Sequence, residues 1–129
     1  MKLFTENWVD SINQESLLDN PSFHEVAASL EALNGDAHTL LALELPSGPV
    51  VHVGGGPISF MSQVIDGNSC WLAKGQKPGR RPLKLVVGGQ LSTFEAGAEL
   101  SFEEAKDILS VFYHGNGVLT ANVGWEVVA

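Results

Sequence analysis

This sequence has one cysteine, few charged residues and no long apolar run, and each shortage excludes a class of protein. Cys70 alone cannot form an internal disulfide, whereas a small secreted protein usually carries an even set of cysteines. Charged residues make up 17% and hydrophobic residues 44% of the 129 residues, which argues against a disordered chain. No stretch approaches the roughly 20 apolar residues of a membrane span, and residues 1–10 lack the apolar centre of a signal peptide. We therefore expect one cytoplasmic domain, residues 1–129, without membrane contact.

Signatures of nucleotide binding are missing as well. A Gly-Gly-Gly-Pro segment at 54–57 follows a predicted strand, as a phosphate-binding turn would, but it leads into another strand. Without a helix N-terminus, such a turn lacks the helix dipole and the free backbone N–H groups that attract a bound anion. We therefore expect no nucleotide or other cofactor. The glycines that we interpret as structural turns or bent strand ends are Gly54, Gly55, Gly56, Gly88 and Gly89.

The histidines and the cysteine show no recognisable catalytic or metal-binding pattern. His24, His38, His52 and His114 lack HxH or HxxxH spacing, and a zinc site needs three or four N, S or O ligands. Cys70 could meet His52 across neighbouring strands, but no GxSxG elbow is present, and a small buried thiol is the commoner use of such a cysteine. We predict a protein that is not an enzyme and binds no metal.

The net charge of −8 is distributed unevenly. Residues 1–66 hold nine acidic residues against one lysine, residues 67–90 hold five basic residues and no acid, and residues 91–129 hold six acidic residues against one lysine. Such a chain repels nucleic acid over most of its surface and attracts a basic partner. Plain solubility is the alternative interpretation. The basic loop at 74–81 lacks the interleaved aromatic residues typical of nucleic-acid binding, so we expect no nucleic-acid partner.

Two helices are indicated by capping boxes. Ser22 with Glu25, and Ser101 with Glu104, match the S-x-x-E pattern of a helix start. Apolar residues follow each box at spacings of three and four, and each segment ends near a glycine.

The other apolar segments predict short strands separated by turns. Because these strands cluster instead of alternating with helices, we predict an α+β fold: an antiparallel sheet of about six to eight short strands with two helices packed on one face. Residues 14–20 are expected to form a loop or one helical turn, and residues 74–82 an exposed loop. The predicted strands span residues 3–9, 39–45, 50–53, 58–65, 69–73, 83–87 and 121–127, and residues 90–98 are expected to continue the sheet.

Acidic residues around the start of the second helix form the first candidate surface for a partner. Carboxylates near a helix N-terminus also interact favourably with the helix dipole, so a solvated face is the alternative. A second candidate surface lies around Asp66, Trp71 and Lys74, since an exposed tryptophan is a natural interface anchor. The acidic residues of the first surface are Glu95, Glu99, Glu103, Glu104 and Asp107.

Several motifs follow one another in order between residues 38 and 128. Leu-Ala-Leu-Glu-Leu at 41–45 precedes Val-His-Val-Gly-Gly-Gly-Pro at 51–57, Leu-Val-Val-Gly-Gly-Gln at 85–90, the helix at 101–113 and Trp-Glu at 125–126. In this combination the chain resembles the Imm-one family of bacterial immunity proteins, which accompany toxins of polymorphic and contact-dependent systems. The resemblance implies a non-enzymatic α+β inhibitor that binds the C-terminal domain of a cognate toxin, often a nuclease or a nucleic-acid deaminase, and blocks its active site.

Two other classes stay open at this point. A small-molecule-binding or enzymatic domain would have a deep pocket lined by His52, Cys70 and Trp71. A homo-oligomeric interaction module would have an exposed apolar face or a free sheet edge in a symmetric dimer. Monomer and homodimer both agree with the sequence, because its pattern does not identify the sheet edges.

Overall fold

A computed structural model describes residues 1–128, which form two helices and eleven strands. The predicted α+β class is confirmed. The helices are α1 (Phe23–Ala32) and α2 (Phe102–His114), and a short 3₁₀ helix spans Ala96–Ala98. The strands are β1 (Lys2–Thr5), β2 (Trp8–Val9), β3 (Ile12–Asn13), β4 (Ser16–Asp19), β5 (Leu40–Glu44), β6 (Val50–Gly55), β7 (Phe60–Asp66), β8 (Ser69–Lys74), β9 (Leu83–Val87), β10 (Gln90–Phe94) and β11 (Gly124–Val127).

Seven of the strands form one antiparallel sheet, as predicted. Their spatial order is β11-β8-β7-β6-β5-β1-β4. The strands from β5 to β8 are neighbours in the chain as well as in the sheet, and the turn at Gly67 and Asn68 joins β7 to β8. The hairpins β9–β10 and β2–β3 lie outside this sheet.

Both helices pack on one face of the sheet, which we call the inner face. Val26 and Leu30 of α1 enter one core with Ile108 and Phe112 of α2. Burying each such side chain stabilises the fold by roughly 1.5–3 kcal/mol. Within residues 1–128, no helix is long and apolar enough to cross a bilayer. The sheet residues of this core, all at most 3% exposed, include Leu3, Leu41, Leu43, Val51, Val53, Phe60 and Val64.

The two predicted capping boxes are present. The hydroxyl of Ser22 accepts a hydrogen bond from the backbone N–H of Glu25 (3.1 Å), and the Glu25 carboxylate accepts one from the backbone N–H of Ser22 (2.9 Å). Ser101 and Glu104 repeat the arrangement at α2. A cap of this kind contributes about 1 kcal/mol. After α1 ends, Gly35 adopts a φ of +71°, the left-handed conformation that the sequence predicts there.

Three local predictions are wrong. Residues 14–20 do not form a loop or helical turn: β4 lies within them and pairs with β1 at the edge of the sheet. Its exposed positions carry no alternating apolar pattern that would mark a strand. Residues 90–98 do not continue the main sheet, because β10 pairs only with β9 and a 3₁₀ helix follows. The first predicted strand, 3–9, is divided into β1 and β2.

The face opposite the helices, which we call the outer face, is covered at one end only. The register places Phe4, Ala42, His52 and Gln63 side by side across four strands of this face. Towards the carboxyl end of β6, hairpin β9–β10 lies over the sheet and forms a second, smaller core. That core contains Met61, Leu72, Leu83, Leu85 and Ala98.

Glycines allow the hairpin to approach the sheet closely. A Cβ atom at Gly54 would lie 2.7 Å from Cγ1 of Val87, and one at Gly55 would lie 2.9 Å from Cδ1 of Leu85. Gly54 and Gly55 pair with β7 as the last two residues of β6, so the interpretation as a strand end applies to them and the interpretation as a turn does not. The other predicted turn glycines lie outside strands, as expected: Gly56 follows β6, and Gly88 and Gly89 connect β9 to β10.

Candidate functional site

Two carboxylates of the predicted acidic surface bind the basic loop of the chain itself. Glu99 accepts hydrogen bonds from the Ser59 hydroxyl (2.8 Å) and from the backbone N–H of Gly79 (2.7 Å). Glu104 accepts one from the backbone N–H of Gln76 (2.9 Å) through the oxygen that does not cap α2. The loop between β8 and β9 is therefore fastened to the start of α2 by carboxylates.

Two other acidic residues of that surface also have partners within the chain. Glu95 pairs with Lys74, and Lys74 also lies 3.1 Å from Glu126. Asp107 accepts a hydrogen bond from the side-chain amide of Asn122 (3.2 Å). Exposed pairs of this kind contribute about 0–1 kcal/mol, so a partner protein could replace them at little cost.

Glu103 is the member of the acidic surface without such a contact. It is exposed, and no hydrogen bond or ion pair of its carboxylate occurs within residues 1–128. Glu99 and Glu104 line one depression of about 400 Å³ together with Ile58 and Lys77. The structure thus brings this acidic group together around the basic loop, and its contact with a partner stays a prediction.

The second predicted surface is divided between different parts of the sheet. Asp66 ends β7 beside the hairpin turn, opposite Ser69 at the start of β8. Lys74 lies at the other end of β8, roughly 17 Å away at the rise of an extended strand. Trp71 is half-buried and packs against the main core on the inner face, next to Val64. These three residues therefore do not form one patch, and Trp71 has the sheet-packing role that tryptophans usually take.

The open alternative of a pocket lined by His52, Cys70 and Trp71 is not supported by their placement. Cys70 and Trp71 are consecutive residues of β8 and point to opposite faces, with Trp71 on the inner one. His52 lies opposite Gln63, whereas Cys70 lies opposite Ile65, so β7 separates the two side chains. Cys70 is half-buried, so it is not the fully buried thiol that the sequence suggested. Within the described residues, no three His, Cys, Asp or Glu side chains form a group suited to a metal ion.

The sequence does not reveal an apolar groove on the uncovered part of the outer face. This outer groove has a volume of about 370 Å³. Apolar side chains from four strands and the His52 imidazole form its floor, and three glutamates form its rim. Burial lowers the pKa of the His52 imidazole below its ordinary value, because desolvation disfavours the charged ring. The lining residues are Phe4, Thr5, Leu40, Ala42, Val50, His52 and Ile65, with Glu6, Glu15 and Glu44.

One end of the outer groove is fixed by a hydrogen-bonded network that connects three elements. The buried hydroxyl of Thr39 donates to the Glu6 carboxylate (2.7 Å) and accepts from the backbone N–H of Gly89 (3.0 Å). The imidazole of His38 lies 2.8 Å from the backbone carbonyl of Glu6. The segment just after β1, the segment just before β5 and the turn of hairpin β9–β10 are thereby joined, so the position of Glu6 at the rim is determined by the fold.

No protein-family model matches this chain, and no curated protein matches its sequence. The resemblance to bacterial immunity proteins therefore stays a prediction based on the motifs quoted above. Among the described residues, the outer groove and the acidic surface around the basic loop are two features that could bind another molecule.

Proposed function

We propose that this protein is an immunity protein, a non-catalytic inhibitor that binds a cognate toxin domain in the cytoplasm and blocks its active site. The toxin would be a nuclease or a nucleic-acid deaminase, as the family resemblance implies. The observation that carries the proposal is the concentration of net negative charge in residues 1–66 of the folded chain.

The acidic half of the molecule contains residues 1–66, with nine carboxylates against Lys2. These residues include α1 and the strands β4, β1, β5, β6 and β7. The five strands are consecutive in the main sheet, starting from its β4 edge. Six of the seven basic residues lie within residues 67–129, where six carboxylates balance them and Lys74 pairs with Glu95 and Glu126. A negatively charged sheet half of this kind supports binding to a cationic protein surface.

Charge complementarity explains why such a surface suits a toxin that acts on nucleic acid. An enzyme of that class carries Lys and Arg residues along the groove that receives the phosphate backbone. An acidic inhibitor can occupy the same groove, and opposite charge accelerates the encounter at low salt. The proposal thus predicts a complex whose association rate depends on ionic strength.

The test is coexpression with the C-terminal domain encoded by the gene immediately upstream. We expect a stable one-to-one complex, rescue of cell growth, and an association rate that falls about tenfold between roughly 50 and 200 mM salt. A catalytically inactive toxin domain serves as the control for expression burden. A well-folded chain that neither binds nor rescues against a demonstrably toxic domain would refute the proposal.

A homo-oligomeric module is the second candidate, and the sheet edge at β4 favours it. All four residues of β4 are exposed, and Leu17 is 52% exposed. An uncovered edge strand with apolar residues can pair with the same strand of a second copy. Sedimentation equilibrium distinguishes the two candidates: a dimer that the Leu17→Lys substitution dissociates would support this one, and a monomer at all concentrations would remove it.

A further inference from the structure

We infer that the outer groove is the docking site for a segment of a partner protein in which Lys or Arg stands beside apolar side chains. This inference rests on the proposed function and deepens it by assigning the surface and the chemistry that recognises the toxin. It places the interface on the outer face of the sheet, away from the predicted acidic surface at α2.

The first argument is that apolar residues of two adjacent register rows remain uncovered, one row containing Phe4 and Ala42 and the other Val50 and Ile65. Hairpin β9–β10 covers only the end of the outer face near Gly54. Beyond it, Phe4, Ala42 and Val50 are only half-buried, and Ile65 is 37% exposed. Leu17 of the edge strand lies opposite Phe4 and extends the row. An apolar patch of this kind, bordered by charged groups, is typical of a protein-binding surface.

The second argument is the sign of the charge at the rim. Glu15 and Glu44 have no hydrogen-bonded or ion-pair partner within residues 1–128, and Glu6 uses one carboxylate oxygen to bind Thr39. Lys2 is the neighbouring cation: it lies opposite Glu44 and Asp19 in the register but forms no ion pair with either within 4 Å. Carboxylates therefore outnumber cations around the groove.

The uncovered apolar floor and the acidic rim together indicate which class of ligand fits the outer groove. The aliphatic stem of Lys or Arg packs on apolar side chains, while the charged head reaches carboxylates at the rim. Phosphate groups and acidic peptides are repelled by Glu6, Glu15 and Glu44. A basic, partly apolar segment of a protein satisfies both the floor and the rim.

The first experiment compares matched substitutions in the complex with the toxin domain encoded upstream. Ile65→Arg places a cation on the floor, and Glu44→Lys reverses the charge at the rim. We expect each to weaken binding by about 30-fold or more. The controls are Ile58→Arg, at an 84% exposed isoleucine outside the groove, and Glu31→Lys, at an exposed glutamate of α1. Both controls are expected to bind within about threefold of the unsubstituted chain.

Circular dichroism spectra of all four variants establish that they fold. Unchanged affinity of Ile65→Arg and Glu44→Lys would overturn the inference while leaving the proposed function in place. Loss of binding by Ile58→Arg with none by Ile65→Arg would also overturn it, and would place the interface at the acidic surface.

A second experiment decides the inference if the toxin domain does not bind at all. The probe is 4-phenylbutylamine, with neutral 4-phenylbutanol as its counterpart, followed by ¹⁵N–¹H NMR. We expect the amine to shift amide resonances of β1, β5 and β6 at low millimolar concentration, because a ligand of about a dozen non-hydrogen atoms binds weakly. The alcohol should cause smaller shifts. In the Glu44→Lys variant the shifts caused by the amine should disappear. Absence of shifts with the amine, or equal shifts with both compounds, would refute the inference independently of the proposed function.

Discussion

The inner and outer faces of the sheet are built from alternate residues of the same strands, yet they differ in burial. In β5, Leu41 and Leu43 are at most 1% exposed beneath the helices. Their neighbours Leu40, Ala42 and Glu44 point to the outer face and are only half-buried. Because successive side chains of a strand point to opposite faces, one short sequence serves two environments.

This difference separates the source of stability from the surface available for recognition. The inner face and the two helices form one continuous core, so its residues are constrained by packing. The outer groove has no covering element within residues 1–128, so packing constrains its side chains less than those of the inner face. Substitutions on the two faces should therefore affect different properties of the molecule.

The largest expected effect comes from applying one substitution to both faces of β5. Leu43→Ala removes a fully buried side chain and should lower the free energy of unfolding by about 2–5 kcal/mol. Leu40→Ala, the matched control on the outer face, should lower it by less than half as much, since Leu40 is already partly solvated. Urea denaturation of both variants measures the difference. Equal losses would show that the outer face contributes to the core as much as the inner face does.

The end of the outer face that hairpin β9–β10 covers offers a second test. Gly54→Ala should destabilise the fold by about 1–3 kcal/mol, because the new Cβ atom would overlap the Val87 side chain. Val87→Ala removes that overlap, so the double variant should recover at least about 0.5 kcal/mol relative to additivity. Strictly additive losses of unfolding free energy in the double-mutant cycle would mean that Val87 of the hairpin does not pack against Gly54. Gly97→Ala is the control for glycine substitution without overlap, because a Cβ atom there would lie 3.7 Å from the Lys74 side chain, an ordinary van der Waals distance.

Local signals in the sequence predicted the elements whose determinants are themselves local. The capping boxes at Ser22 and Ser101 identified both helix starts, because a cap involves residues only three positions apart. The hairpin at Gly67 was predicted for the same reason. The edge strand β4 was missed because its pairing partner, β1, provides its hydrogen bonds, and exposure removes the apolar alternation.

The outer groove could not be predicted because it depends on register between distant strands. Phe4 and Ile65 contribute to one floor although sixty-one positions separate them (65 minus 4). Period-two alternation indicates which residues share a face of one strand, but not which residues of other strands lie beside them. For the same reason, the sequence indicated an acidic group around Glu99 and Glu104 but not that these carboxylates bind the basic loop.

The smallest expected effect concerns His52 and the dependence of stability on pH. Burial on the outer face lowers the pKa of the His52 imidazole below the ordinary value of 6.5. Below pH 6.5, His52 therefore binds a proton less readily in the folded chain than in the unfolded chain. This group therefore leaves stability unchanged well above pH 6.5. As the pH falls through 6.5, the free energy of unfolding should decrease until the folded-state pKa is passed.

Two variants locate this acid sensitivity in the outer groove. His52→Gln should flatten the decrease below pH 6.5, because the side chain no longer titrates. Gln63→Glu should also reduce it, since a carboxylate opposite His52 favours the protonated imidazole. Urea denaturation between pH 8 and 5 measures both slopes, at fixed ionic strength. If the His52→Gln profile runs parallel to that of the unsubstituted chain, the imidazole is solvated on the open face, and the outer groove is shallower than its lining indicates.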